Sequence, residues 1–207
     1  MQYEALLTMA KADPGSIDFT ALRLAYAHSP LYDPYNRNRQ TVDMLIEAIS
    51  QGASQKALSL IHKLLDQHYL DTEAHALAAS VYREKGDTQK ADYHLQFAGG
   101  ILNSIFSSGN GQSYQSAFVV VDIEEEYAVL KYLGLLPDHQ LLKESDNRFY
   151  DIFEIYPPKT NQLMEVYFNI DFPKHWLDQQ IAGMNPEGRA ANGLIFTELL
   201  SRNLFSC

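Results

Sequence analysis

The chain has 207 residues, of which 46% are hydrophobic and 20% charged, and this ordinary globular composition excludes a wholly disordered protein. Its 26 acidic residues outnumber 16 basic ones, for a formal net charge of −10. Since no Lys/Arg cluster offsets this charge, we expect no binding to nucleic acid or to anionic membranes.

Cysteine content and hydropathy narrow the class of protein further. Cys207 is the single cysteine, so an intramolecular disulfide and a Cys-based zinc site are excluded. No stretch reaches the ~18 consecutive apolar residues of a membrane helix. We therefore expect a cytoplasmic protein as the sequence stands; the alternative is an exported protein whose signal peptide was removed upstream.

The first third of the chain predicts helices. Helical periodicity covers residues 2–11 and 17–27, separated by a turn at Asp13-Pro14-Gly15-Ser16. Pro30 and Pro34 then break the pattern. A connection that contains two tyrosines follows.

An internal repeat is detected next. A shift of 34 residues places residues 72–105 on residues 38–71, with Gly86 on Gly52. In each copy a helical pattern runs into a turn that contains glycine, and a second helical pattern follows. Residues 74–98 match the tetratricopeptide pattern well, so the repeat predicts helical hairpins with glycine at the end of each first helix.

After residue 106 the spacing of apolar residues changes from the pattern of helices to that of strands. Residues 117–121 predict a buried strand and residues 124–135 a helix. Three further strands are predicted at about 139–144, 148–156 and 163–170. Beyond them, helical patterns cover residues 174–182 and 190–204.

These elements predict an α+β fold, in which tetratricopeptide-like helical hairpins pack on a small, mostly antiparallel sheet with one helix. We expect a helical region at 1–105, an α+β unit at 106–171 packed against it, and a mainly helical tail at 172–207. The middle region holds 4 basic and 11 acidic residues. It therefore carries most of the negative charge and favours a basic partner.

Several segments in this order resemble the bacterial domain-of-unknown-function family 4919. The segments include Asp18-Phe19-x-x-Leu22-Arg23-x-x-Tyr26, the repeat from Ala74 to Phe97, Ser107-Ser108-Gly109-Asn110-Gly111, Glu125-Glu126-Tyr127, Gln140, Tyr150-Asp151 and Tyr167-Phe168-Asn169-Ile170. The resemblance implies a helical-repeat front joined to an α+β back, with no established activity. It also implies that many relatives carry an export signal upstream of Tyr3.

Residues that could carry chemistry have structural explanations. The glycine loop 108–113 lacks the lysine of a phosphate-binding loop. No two of the seven histidines have helical ligand spacing, so we expect surface or interface histidines. The acids Glu124 to Glu126 could form a carboxylate pair with Asp151 or Glu154, but helix capping accounts for them. We expect no catalytic, metal or cofactor site.

The leading functional hypothesis is non-catalytic protein binding through a helical-repeat groove, an acidic α+β face, or both, with a possibly basic protein as partner and with oligomeric state undetermined. The candidate partner-binding residues are Arg23, Tyr26, Tyr32, Tyr35, His75, Tyr82, Glu124 and Glu125. One alternative is a toxin-neutralising bacterial protein. Another is a hydrolase with a carboxylate pair in the α+β unit.

Overall fold

A computed structural model describes residues 2–35, 39–157 and 162–183. The chain divides into two compact units, Met1–Ser107 and Ser108–Cys207. Across the described residues, eight α-helices and one four-stranded sheet confirm the α+β class. The helix predicted at 190–204 lies outside the described residues.

The first unit is entirely helical. Its elements in chain order are α1 (Gln2–Ala12), a 3-10 turn (Pro14–Ser16), α2 (Phe19–Ala27), α3 (Arg39–Ser50), α4 (Ser54–Gln67), α5 (Thr72–Glu84) and α6 (Thr88–Phe106). The last four helices pack on their neighbours in sequence. Helix α2 packs on α1 and on α6.

Aspartate side chains fix where three of these helices begin. The Asp18 carboxylate accepts hydrogen bonds from the amides of Thr20 and Ala21, at 2.8 and 3.2 Å. Asp71 and Asp87 cap α5 and α6 in the same way. These contacts satisfy amides that have no acceptor within their helix, so part of the acidity of the chain has a structural use.

The turns at Gly52 and Gly86 have the same geometry, as the 34-residue shift predicts. Their φ angles are +66° and +79°. The amide after each glycine donates to a carbonyl five residues earlier: Ala53 to Ala48, and Asp87 to Tyr82. This is the Schellman helix ending, which favours glycine because of its left-handed backbone. The two helical hairpins are confirmed; their likeness to tetratricopeptide repeats stays a prediction.

Helices α2 and α6 approach each other closely at Gly100. A Cβ atom at this position would lie 2.2 Å from the ring of Phe19, so only glycine leaves room for that ring. One turn further along each helix, the Arg23 guanidinium donates to the Ser104 hydroxyl at 2.9 Å. Arg23 is buried together with this partner.

The second unit contains the sheet. Its elements are a 3-10 turn (Tyr114–Ser116), β1 (Phe118–Val119), α7 (Ile123–Tyr132), β2 (His139–Ser145), β3 (Arg148–Ile155), β4 (Met164–Asn169) and α8 (Asp171–Ala182). The strand order is β1-β4-β3-β2, with β1 parallel to β4 and the other pairs antiparallel. Asp146 and Asn147 both have positive φ, as the two-residue turn between β2 and β3 requires.

Two predicted elements differ in length from the observed ones. The strand expected at 117–121 contains only Phe118 and Val119, because the chain turns away to begin α7 at the Asp122 cap. Helix α8 begins at Asp171 and not at 174. Pro173 fits there because the first helical turn does not need its amide hydrogen.

The glycine turn of the second hairpin gives a stability prediction. Gly86→Ala places a Cβ on a left-handed residue with open space around it, so backbone strain alone should destabilise the chain by about 1–2 kcal/mol. Gly99→Ala, inside α6 and also in open space, is the matched control. It should be neutral or stabilising by up to about 1 kcal/mol, since alanine favours helices. Chemical denaturation followed by circular dichroism measures both, and equal effects would contradict the turn assignment.

Candidate functional site

Two buried carboxyl groups face each other in the second unit. Glu126 on α7 is 0% exposed and Asp151 on β3 is 1% exposed. Burial, together with the charge of Asp151, raises the pKa of Glu126 well above its ordinary value. Burial also raises the pKa of Asp151, to about 6. The interior of this unit therefore holds a pair of acids whose pKa values are both raised.

The pair requires a proton. Neither oxygen of Glu126 has a hydrogen-bond donor beside it, and the same is true of Oδ1 of Asp151. When Glu126 keeps its proton, its hydroxyl donates a hydrogen bond to the Asp151 carboxylate, so one oxygen on each side has a partner. Two like charges at this place would be costly, because each one is removed from water.

A hydrogen-bonded chain extends from Asp151 toward the surface. The Gln140 amide on β2 donates to Oδ2 of Asp151 at 2.8 Å, and the Tyr127 hydroxyl donates to Oε1 of Gln140 at 3.1 Å. Gln140 and Tyr127 are partly exposed. The donors of this chain stabilise the charged form of Asp151, so the proton belongs on Glu126.

The burial of this pair weighs against catalysis by it. A substrate must come within hydrogen-bond distance of a general acid or base, and both carboxyl groups are covered by protein. The sequence offered three acids on α7, Glu124 to Glu126, as partners of Asp151. Of these, Glu126 is the one that pairs with it. Glu125 points elsewhere, since its carboxylate accepts a hydrogen bond from the Val121 amide at 2.8 Å.

Two histidines form the buried polar centre of the first unit. His75 on α5 and His94 on α6 approach with their Nδ1 atoms 2.9 Å apart. They are 0% and 7% exposed, so the prediction of surface or interface histidines is wrong for both. Burial lowers the pKa of His75 to about 3 and that of His94 to about 4. Both rings are neutral at pH 7.

The hydrogen bonds of this pair fix the tautomers. Nε2 of His75 lies 2.9 Å from the Tyr69 carbonyl, which can only accept, so Nε2 carries the hydrogen. Nδ1 of the neutral ring then accepts from Nδ1–H of His94. This contact holds the backbone at Tyr69 in place. The ring of the same tyrosine lines the pocket described next.

A pocket with a volume of about 160 Å³ opens in the first unit. Helix α1 contributes Tyr3, Leu7 and Lys11, which lie one turn apart on one stripe of the helix. The other walls are residues 65–69 at the end of α4 and three side chains of the segment 26–33. A cavity of about 150 Å³ holds a benzene molecule, so the volume suits one side chain.

Tyr26 organises the floor of this pocket. Its ring contacts the rings of Tyr3, Tyr32 and His68, with centroids 5.0–5.2 Å apart. Its hydroxyl donates to the Asp33 carbonyl at 3.3 Å and accepts from the Asp33 amide at 3.2 Å. Both Tyr26 and Tyr32 are buried, so the floor is aromatic and fixed.

The rim of the pocket is charged and exposed. Lys11, Asp66 and Leu31 are exposed, and Asp33 is half-buried. The Lys11 ammonium lies over the Tyr69 ring, 4.0 Å from its centroid. The C-terminal end of α4 adds partial negative charge, because its last carbonyls point outward along the helix dipole. The rim therefore has a net negative charge around an aromatic floor.

The structure places the sequence-predicted partner-binding residues mostly in the interior. Buried side chains belong to Arg23, Tyr26, Tyr32, His75, Tyr82 and Glu125. Tyr35 and Glu124 are half-buried. Of the eight residues, only Tyr26 lines the pocket of the first unit. The pocket rim was missed because its residues come from three separate segments with no common sequence pattern.

The amides of the glycine loop 108–113 donate hydrogen bonds to the nearby backbone. The amides of Asn110 and Gly111 both donate to the Ser116 carbonyl, at 2.9 and 2.8 Å. Phosphate-binding loops instead point successive amides at the ligand.

In the described part of the chain, no three His, Cys, Asp or Glu side chains are grouped as ligands of a metal ion. No described helix is long and apolar enough to cross a membrane.

Comparison with known proteins identifies one family. The model of the family described as "Domain of unknown function (DUF4919)" matches residues 1–178, which include both buried pairs and the pocket. No curated protein and no solved structure matches the chain. The sequence resemblance to this family is therefore confirmed.

The acid pair predicts an unusual pH dependence. Because both folded-state pKa values are raised, their favourable contribution is complete below about pH 4 and decreases as pH rises through about 6 and beyond. Glu126→Gln keeps a donor for Asp151 and removes one ionisation. It should stabilise the second unit at pH 8 by at least about 1 kcal/mol, and less at pH 5.

Urea unfolding followed by fluorescence tests this expectation, since Trp176 is the single tryptophan and lies on α8 of the second unit. Glu144→Gln, which changes an exposed carboxylate on β2, is the matched control and should leave the unfolding curve unchanged. A Glu126→Gln protein that is less stable than its parent at pH 8 would contradict the shared-proton description.

Proposed function

Because the chain belongs to the DUF4919 family, whose description assigns no activity, its function has to come from its own residues, and we propose that it is a non-catalytic protein-binding module. The observation that carries this proposal is the pocket in the helical unit. The pocket accepts one side chain of a partner, while the surrounding helices contact the backbone on either side of that side chain.

The size and composition of the pocket support a protein ligand. Small-molecule sites usually have ~300–1,000 Å³, whereas this pocket has about 160 Å³. An aromatic floor with a polar rim is typical of the central contact of a protein interface, where one anchoring side chain contributes most of the binding energy. Tyr26 cannot rotate freely, since its hydroxyl is bound to Asp33, so little entropy is lost on binding.

Two other candidate surfaces have less support. Glu125 does not contribute to an acidic face around α7, because its carboxylate is buried and accepts a hydrogen bond from the Val121 amide. A hydrolase that uses Glu126 and Asp151 would need a path for the substrate to carboxyl groups that are 0% and 1% exposed. The pocket is the one of these three features with an open mouth and a preformed interior.

Filling the pocket should abolish partner capture. Leu31 is 62% exposed at the rim, so Leu31→Trp should place an indole in or over the mouth without disturbing the core. Met44→Trp on α3, at a 39% exposed residue outside the pocket, is the control. With each immobilised full-length protein, capture from lysate of the source cells should fall at least about tenfold for Leu31→Trp only.

Circular dichroism of both variants verifies that each has folded before capture is compared. The proposal fails if Leu31→Trp captures the same proteins in the same amounts as Met44→Trp and the parent. It also fails if both substitutions reduce capture equally, because the effect would then not depend on the pocket.

A further inference from the structure

We propose that the pocket of the helical unit selects an arginine side chain in a basic segment of the partner, an inference that rests on the protein-binding function proposed above. Three features of the pocket point to a cation: the balance of charges at its rim, the aromatic surface inside it, and a cation that lies over the ring of Tyr69 in the neighbouring wall.

The charges at the rim favour a positive guest. Two carboxylates, those of Asp33 and Asp66, and one ammonium, that of Lys11, belong to residues that line the pocket. The end of α4 adds partial negative charge at residues 65–68, the same segment that forms a wall. A guanidinium entering the pocket would offset this excess of negative charge, whereas a carboxylate would increase it.

The aromatic surface suits a planar cation. The Tyr26 ring packs against the rings of Tyr3 and His68, with centroids 5.2 and 5.0 Å away, and all three residues line the pocket. Cations bind the faces of such rings, and guanidinium groups also stack on them. The neighbouring wall already shows this contact, since the Lys11 ammonium lies 4.0 Å from the centroid of the Tyr69 ring.

Arginine fits these features better than lysine. A guanidinium can stack on a tyrosine ring and donate to a carboxylate at the same time, because its donors lie at the edge of a plane. An ammonium is a compact, strongly hydrated charge and loses more water on entering a pocket of about 160 Å³. The net charge of −10 on the whole chain also attracts a basic segment from a distance.

The test uses the full chain labelled with ¹⁵N and five capped peptides, Gly-Gly-X-Gly-Gly, with X as arginine, citrulline, lysine, leucine or glutamate. Citrulline has the shape of arginine without its charge. We expect the arginine peptide to shift the amides of residues 31–33 and 65–69. It should bind at least about threefold more tightly than the citrulline peptide, as expected for a cation at a partly exposed site.

Asp66→Asn should weaken binding of the arginine peptide by about two- to fivefold and leave binding of the citrulline peptide unchanged. Asp43→Asn, which changes an exposed aspartate on α3 outside the pocket, is the control and should change neither. Raising the salt concentration to 0.5 M should reduce the preference for arginine over citrulline.

The inference is overturned if citrulline, leucine or glutamate binds as tightly as arginine, or if Asp66→Asn and Asp43→Asn have equal effects. Tighter binding of the lysine peptide would overturn the preference for arginine. If none of the peptides shifts the pocket amides at millimolar concentration, the inference also fails. In each case the capture experiment with Leu31→Trp decides separately whether the protein-binding proposal survives.

Discussion

The pocket of the helical unit, where we propose that a partner binds, depends on the hydroxyl group of Tyr26. This hydroxyl both donates to and accepts from the backbone of Asp33, and so it holds the loop after α2 against the helices. The ring below it contacts three other aromatic rings. Backbone hydrogen bonds from Ser29 to the Tyr26 carbonyl and from Tyr32 to the Ser29 carbonyl hold the start of the same segment, 29–33. This segment contributes Leu31 and Asp33 to the rim of the pocket.

A second constraint holds the opposite wall. The neutral His75 ring donates from Nε2 to the Tyr69 carbonyl and accepts from His94 at Nδ1, so the tautomers of two buried rings fix the backbone at Tyr69. The Tyr69 hydroxyl also bonds to that of Tyr93, at 2.8 Å. A site whose walls are held by buried hydrogen bonds loses little entropy on binding, which suits a module that recognises one side chain.

The two buried pairs respond to pH in opposite directions. The lowered pKa values of His75 and His94 stabilise the helical unit above about pH 6.5, and this contribution is lost as pH falls toward 4 and 3. The raised pKa values of Glu126 and Asp151 stabilise the second unit at low pH instead. The contributions of the two pairs to stability therefore change in opposite directions with pH.

Local patterns in the sequence predicted the fold better than the site. The 34-residue shift placed Gly52 and Gly86 correctly, because a left-handed helix ending needs glycine wherever it occurs. The turn between β2 and β3 was predictable for the same kind of reason, from Asp146 and Asn147. Such features depend on a few consecutive residues, so a single sequence reveals them.

The buried pairs and the pocket depend on distant residues. His75 and His94 are 19 residues apart and meet only when α5 and α6 pack. Glu126 was read as part of a helix cap, since sequence does not show which of three consecutive acids faces the sheet. The motifs that identified the family do include Glu126, Tyr127, Gln140 and Asp151. The presence of these four residues in the family motifs was the one feature of the sequence that could have indicated the acid pair.

The central claim is that a partner binds across the pocket of the helical unit, and hydrogen–deuterium exchange of the chain with and without a captured partner tests it most directly. The account predicts that binding slows exchange at residues 31–33 and 65–69, because Leu31, Asp33 and the whole of 65–69 line the pocket. Slower exchange confined to the sheet, at residues 139–155, with no change at those two segments, would contradict it.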